Sequence, residues 1–99
     1  MIRHIVALRF EDISDAAKRA IFDDLAALRI DGIEAFERRE NISPEDVVVH
    51  GFRDLFWFDF RDEAARDAYL VDPDHQAIGK RIVAATGGTE GVLVLDFEV

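Results

Sequence analysis

Apolar side chains recur at two spacings along the 99-residue chain, and the switches between them predict the elements. Ile2, His4, Val6, Leu8 and Phe10 alternate with Arg3, Ile5, Ala7 and Arg9. That period of two predicts a strand with two partly apolar faces. Ala17, Ile21, Leu25 and Leu28 follow helical spacing, with Ser14 as N-cap and Asp31-Gly32 as the stop. Ile33 to Glu40 predicts a weaker, heavily charged strand at an edge or rim. Asn41 to Gly51 is a loop in which Ser43-Pro44 begins a single helical turn. Val47, Val48 and Val49 are oddly apolar for it. Phe52 to Phe60 is the clearest strand, with Phe52, Phe56, Phe58 and Phe60 on one face and Leu55 and Trp57 on the other. Asp62 caps a short helix holding Ala64, Ala65, Ala68 and Tyr69. A second helical segment with Ile78, Ile82 and Val83 runs to Thr86-Gly87-Gly88. Gly91 opens a last strand, Val92 to Val99.

The order β-α-β-β-α(α)-β predicts an α+β fold in one domain, residues 1–99. The arrangement is ferredoxin-like: a four-stranded antiparallel sheet with helices on one face. Helices cover only that face, yet the first and third strands are apolar on both. At roughly 25 cal/mol per Å², a few exposed Phe and Trp side chains forgo several kcal/mol and invite aggregation. The expected solution is a homodimer whose two sheets enclose a barrel-like space, with the 41–51 loop or the last strand reaching across. The alternative is that the loop valines of the same chain cover the open face.

Charge and composition narrow the partners. The formal net charge is −9, which repels phosphates and argues against nucleic acid and anionic membranes. There is no cysteine, hence no disulfide, thiolate metal site or cysteine nucleophile. No segment approaches the ~20 apolar residues of a membrane span, and the first strand lacks a signal peptide's cleavage pattern, so a cytoplasmic location is expected. The three histidines form no i, i+4 pair, so no metal is expected, and no cofactor either. Gly87-Gly88-Thr89-Glu90-Gly91 lacks the Lys-Ser/Thr end of a phosphate loop and precedes a strand.

The corner Tyr69-Leu70-Val71-Asp72-Pro73-Asp74-His75 carries the candidate chemistry. Asp72 suits an N-cap and Pro73 the first helical position. Capping accounts for those two but not for Tyr69 and His75, two proton-transfer groups on either side of the turn. The helix N-terminus disfavours a charged His75, whereas Asp72 and Asp74 favour it; the sequence does not decide which wins, and a histidine so balanced can titrate near neutrality and act as a base. His4 stands alone on an apolar strand face. The expected site has His75 as general base, Tyr69 as its hydrogen-bond partner or acid, and His4 as a polar anchor. Val6, Leu8, Phe56 and Phe58 would form walls suited to a flat apolar or aromatic ligand. Each has a plain structural alternative: a satisfied core histidine, an amphipathic core tyrosine, a ring bonded to the N-cap backbone. His50 is expected to be solvated or at a dimer interface.

Several segments together resemble one family. They are Ile2 to Phe10 with its Arg-His pair, Asn41-Ile42-Ser43, Gly51-Phe52, Phe56 to Phe60, Ala68 to Ala77, and Val94-Leu95-Asp96-Phe97. The pattern resembles the stress-responsive A/B barrel (Dabb) family, whose corner reads Tyr-x-x-His-Pro-x-His. Tyr69, Pro73 and His75 match, while Asp72 replaces the first histidine. The resemblance implies a dimeric α+β barrel. A plant polyketide cyclase of that family closes a linear polyketide by aldol condensation. It uses a tyrosine and a histidine at positions matching Tyr69 and His75, with a first-strand histidine matching His4 in its pocket. The implied function is binding of a small apolar or aromatic ligand, with cofactor-free acid–base chemistry if the protein is an enzyme. The alternatives are a non-enzymatic, stress-protective oligomer and, by analogy with related barrels, a cofactor-free monooxygenase.

Overall fold

The computed structural model describes all 99 residues. Its elements are β1 (Ile2–Leu8), α1 (Asp15–Ala26), β2 (Ile33–Glu40), the single turn α2 (Asp46–Val49), β3 (Asp54–Phe60), α3 (Glu63–Val71), α4 (Pro73–Ala85) and β4 (Val92–Glu98). A 3₁₀ turn, Thr89–Gly91, leads into β4. The four strands form one antiparallel sheet in the order β2-β3-β1-β4, the ferredoxin-like βαββαβ arrangement. Side-chain caps set the starts of the longer helices. Ser14 accepts from the Ala17 N–H at 3.1 Å, and Asp62 from the Ala65 N–H at 2.9 Å.

Alternation decides which face is buried. In β1, Ile2, His4, Val6 and Leu8 are buried, and in β3 so are Phe56, Phe58 and Phe60. These side chains pack with Ile21, Phe22 and Leu25 of α1, Ala65 and Tyr69 of α3, and Ile78 and Ile82 of α4. The opposite face carries Ile5, Leu55, Trp57, Leu93, Leu95 and Phe97, and no helix covers it. Leu95 is 54% exposed and Phe97 45%. The loop valines do not cover it: Val49 is buried locally, but Val47 is 88% exposed. The open face is therefore apolar at its centre. Ion pairs sit toward its margins, Arg3 with Asp59 at 2.9 Å and Arg39 with Glu37 at 2.9 Å.

Two expectations need correction. The first helix does not run to Asp31-Gly32 but ends at Ala26. Leu28 and Ile30 leave the helix and turn onto the core, where they pack partly buried, instead of adding about one and a half helical turns. Gly32, at φ +92°, serves another purpose: a Cβ there would lie 2.3 Å from the Ala65 Cβ, so glycine lets this turn touch α3. The third strand begins at Asp54 rather than Phe52. The Phe52 N–H bonds the Val49 carbonyl, and its ring lies under the Arg9 guanidinium at 5.1 Å.

Candidate functional site

The α3–α4 corner is as tight as two helices allow, with Asp72 the one residue between them. The Asp72 carboxylate accepts from the Asp74 N–H at 2.9 Å and the His75 N–H at 3.1 Å, and Pro73 occupies the first helical position. The turn brings the last turn of α3 against the first of α4. As a result the Tyr69 and His75 rings lie face to face, centroids 3.8 Å apart and planes at 31°. This stacking replaces the expected hydrogen bond between them.

His75 Nδ1 is the one buried side-chain nitrogen or oxygen in the protein without a hydrogen-bond partner. Burial lowers its pKa below the ordinary 6.5, and the neighbouring His4 lowers it further. The Tyr69 and Leu70 carbonyls and the Asp72 charge pull more weakly the other way. The ring is thus neutral at pH 7 and has an unoccupied nitrogen. Burial pushes the Tyr69 phenol well above its ordinary 10.0, so its hydroxyl stays protonated. Phe58 and Phe60 hold the tyrosine ring from the sheet side, each at 5.0 Å, and the His4 ring meets it edge-on at 5.6 Å.

His4 is fixed from the other side. It stands opposite Asp96 in the β1–β4 register, and its Nδ1 lies 2.7 Å from Asp96 Oδ1. The second oxygen of Asp96 accepts from Arg66 Nη1 of α3 at 2.8 Å. Burial works against ionisation of Asp96. The hydrogen bonds from Arg66 and His4 outweigh it and hold the carboxyl below its ordinary value. A carboxylate at Nδ1 makes that nitrogen the donor and leaves Nε2 as the one available to a ligand.

These groups border one cavity of about 180 Å³ between the sheet and α4. Its walls are His4 and Val6 of β1, Phe56 of β3, Tyr69 and Leu70 of α3, His75, Gly79, Ile82 and Val83 of α4, and Val92 and Val94 of β4. The larger hollows elsewhere are open surface grooves, such as that between Asp24, Leu28, Arg29 and Ile78. No cluster of His, Asp or Glu side chains is arranged to hold a metal ion.

Five of the seven expected site residues therefore meet in the cavity: His75, Tyr69, His4, Val6 and Phe56. Leu8 and Phe58 do not line it; both are fully buried in the core, Phe58 behind the Tyr69 ring. Alternation assigns a side chain to a face but says nothing of where along the strand a cavity opens. Sequence reasoning missed the rest of the α4 wall, although Gly79, Ile82 and Val83 share one helical stripe with His75. It also missed the Asp96–Arg66 support of His4. Its only trace in the chain is a carboxylate, Asp96, set between the apolar Leu95 and Phe97 of the last strand.

Fold and cavity together define a ferredoxin-like α+β domain with a small, partly open cavity beneath its last helix. The model of the stress-responsive A/B barrel domain (Dabb) matches residues 2–99, and the chain belongs to that family. Among solved structures it is similar to a dimeric ferredoxin-like protein of unknown function from Jannaschia sp. CCS1. The identity is 33%, with 99% of this chain and 98% of that one covered and a TM-score of 0.81. A Dabb family protein from Mesorhizobium loti is 29% identical over 99% of this chain and 95% of that one, TM-score 0.76. A hydroxynitrile lyase from Passiflora edulis shares the fold at 20% identity over 99% and 92%, TM-score 0.84. No curated protein matches the sequence. No helix is long and apolar enough to cross a membrane.

Proposed function

We propose that the protein is a homodimer whose protomers each bind a small, flat, largely apolar ligand beneath α4. There they make or break a carbon–carbon bond next to a carbonyl by acid–base chemistry, without a cofactor. The observation that carries this reading is an apolar cavity bordered by His75, whose buried Nδ1 has no partner, together with Tyr69 and His4. A buried nitrogen without a partner costs about 1–3 kcal/mol, and although the Tyr69 and Leu70 carbonyls lie near the ring, Nδ1 bonds neither. The size argues for one ring: an engineered apolar cavity of ~150 Å³ takes up benzene, and this one is about 180 Å³.

His75 is the general base. In the cleavage direction it takes the proton of a ligand hydroxyl, the freed O–H electron pair forms the carbonyl, and the carbon–carbon bond breaks. The departing carbon keeps that bond's electron pair and is protonated by the Tyr69 hydroxyl. Tyr69 recovers its proton from protonated His75, directly or through water. His4, its Nδ1 held by Asp96, anchors the oxygen. Read in reverse, the same proton movements serve an aldol closure. The hydroxynitrile lyase of the same fold gives a precedent for the cleavage direction. A non-enzymatic protective oligomer would be expected to fill its interior, and the open cavity speaks against it.

The dimer rests on the uncovered sheet face, apolar at its centre with ion pairs toward its margins. Relatives such as the Jannaschia protein are described as dimeric.

The test uses benzaldehyde and mandelonitrile as single-ring probes. Benzaldehyde is expected to shift the backbone amide signals of Val6, Leu70, Gly79 and Val94, and mandelonitrile to be cleaved to benzaldehyde faster than in buffer. Absence of any shift overturns the ligand site; shifts without cleavage overturn the catalytic part.

A further inference from the structure

Gly79 is a cavity-wall position whose residue type neither backbone conformation nor close packing explains. It lies inside α4, where glycine is the weakest choice after proline. Its backbone is helical, so no positive φ calls for it. Close packing does not call for it either, since a Cβ built there meets nothing within 4 Å. The contrast with Gly32 and Gly91 is plain, where an added Cβ would lie 2.3 and 2.4 Å from its neighbours. The empty space facing Gly79 belongs to the cavity.

Helix geometry says which part of the cavity it is. Gly79 follows His75 by four residues, so the two lie one above the other on the same face. Side chains on a helix lean toward its N-terminus and cover the preceding turn. Any side chain at position 79 would extend toward the His75 ring. We propose that Gly79 is the specificity-determining residue of the site: its missing side chain leaves the space beside His75 in which the ligand's ring sits. This rests on the ligand-binding reading above. It adds that the ligand lies against the α4 backbone at Gly79. It also adds that helix stability is given up at this one position to admit an aromatic ring, where a larger side chain would restrict the site to thinner, non-aromatic molecules.

The experiment compares the wild-type protein with Gly79→Ala and Gly79→Leu, measuring the melting temperature and the affinity for benzaldehyde by NMR titration. Gly79→Ala is expected to raise Tm by roughly 4–6 °C through helix propensity alone. It is also expected to weaken benzaldehyde binding about tenfold, and Gly79→Leu to abolish it. If the wild type binds and Gly79→Ala binds equally well, the Gly79 assignment is overturned while the ligand site stands. The same holds if Gly79→Ala lowers Tm, because the glycine would then have a packing role. If the wild type itself does not bind, the ligand site fails and this assignment with it.

Discussion

Replacing His75 with alanine is expected to slow mandelonitrile cleavage by about 10²–10⁴-fold, the range that removal of a positioned general base commonly costs. The fold should barely register the change. The substitution removes the stacking on Tyr69 but also the buried, unpartnered Nδ1, and these oppose each other. A net stability change under about 1 kcal/mol follows, measurable by urea unfolding. A catalytic loss without a stability loss separates a functional histidine from a structural one. A variant that loses both would point to a packing role.

The pH dependence has a definite sign. The folded pKa of His75 lies below its ordinary 6.5, so the base form persists through neutrality. Activity should be flat above pH 7 and fall on the acid side, with a midpoint below 6.5. Stability follows the same direction. As pH falls through 6.5 the unfolded chain takes up a proton at this ring before the folded chain does. The contribution is thus complete above the unfolded value and lost as pH falls toward the folded one. In His75→Ala that acid-side loss should shrink.

The second large effect concerns the open sheet face. Leu95→Arg is expected to convert a dimer into a monomer. Leu95 pairs with Ile5 in the register and lies between Leu93 and Phe97 on the edge strand β4, within the apolar part of the open face. In an isolated protomer an arginine there is solvated and nearly harmless. Between two sheets it is a buried charge without a partner, which costs several kcal/mol per copy. Two copies meet at such an interface, so the dimer dissociation constant should rise by at least about 10³-fold. Sedimentation velocity measures this directly. A wild-type protein that sediments as a monomer, or a Leu95→Arg variant that stays dimeric, would contradict the sheet-to-sheet assembly.

Much of this molecule can be traced in its sequence because its signals are local. Period two in Ile2–Leu8 and Asp54–Phe60, the Ser14 and Asp62 caps and the Asp72-Pro73 corner all act within a few residues, and each appears in the fold. What escaped depends on distance. The end of α1 is decided by where Leu28 and Ile30 find the core, not by a stop signal at Gly32. That Leu8 and Phe58 fall outside the cavity wall depends on where α4 crosses the sheet. The Asp96 contact with His4 depends on strand register across 92 residues. The Tyr69–His75 pairing was visible as a spacing, but a spacing cannot distinguish a hydrogen bond from a stack.

NMR titration of the His75 ring Cε1–H, with and without benzaldehyde, tests whether a neutral His75 borders a cavity that takes a single ring. The midpoint is expected below 6.5 in the free protein, moved lower still when the ring fills the cavity and shields the imidazole from water. Nuclear Overhauser contacts from benzaldehyde to His75 and Gly79 are expected with it. A His75 that titrates at 6.5 or above and is unmoved by benzaldehyde would rule out both the neutral base and the ring site.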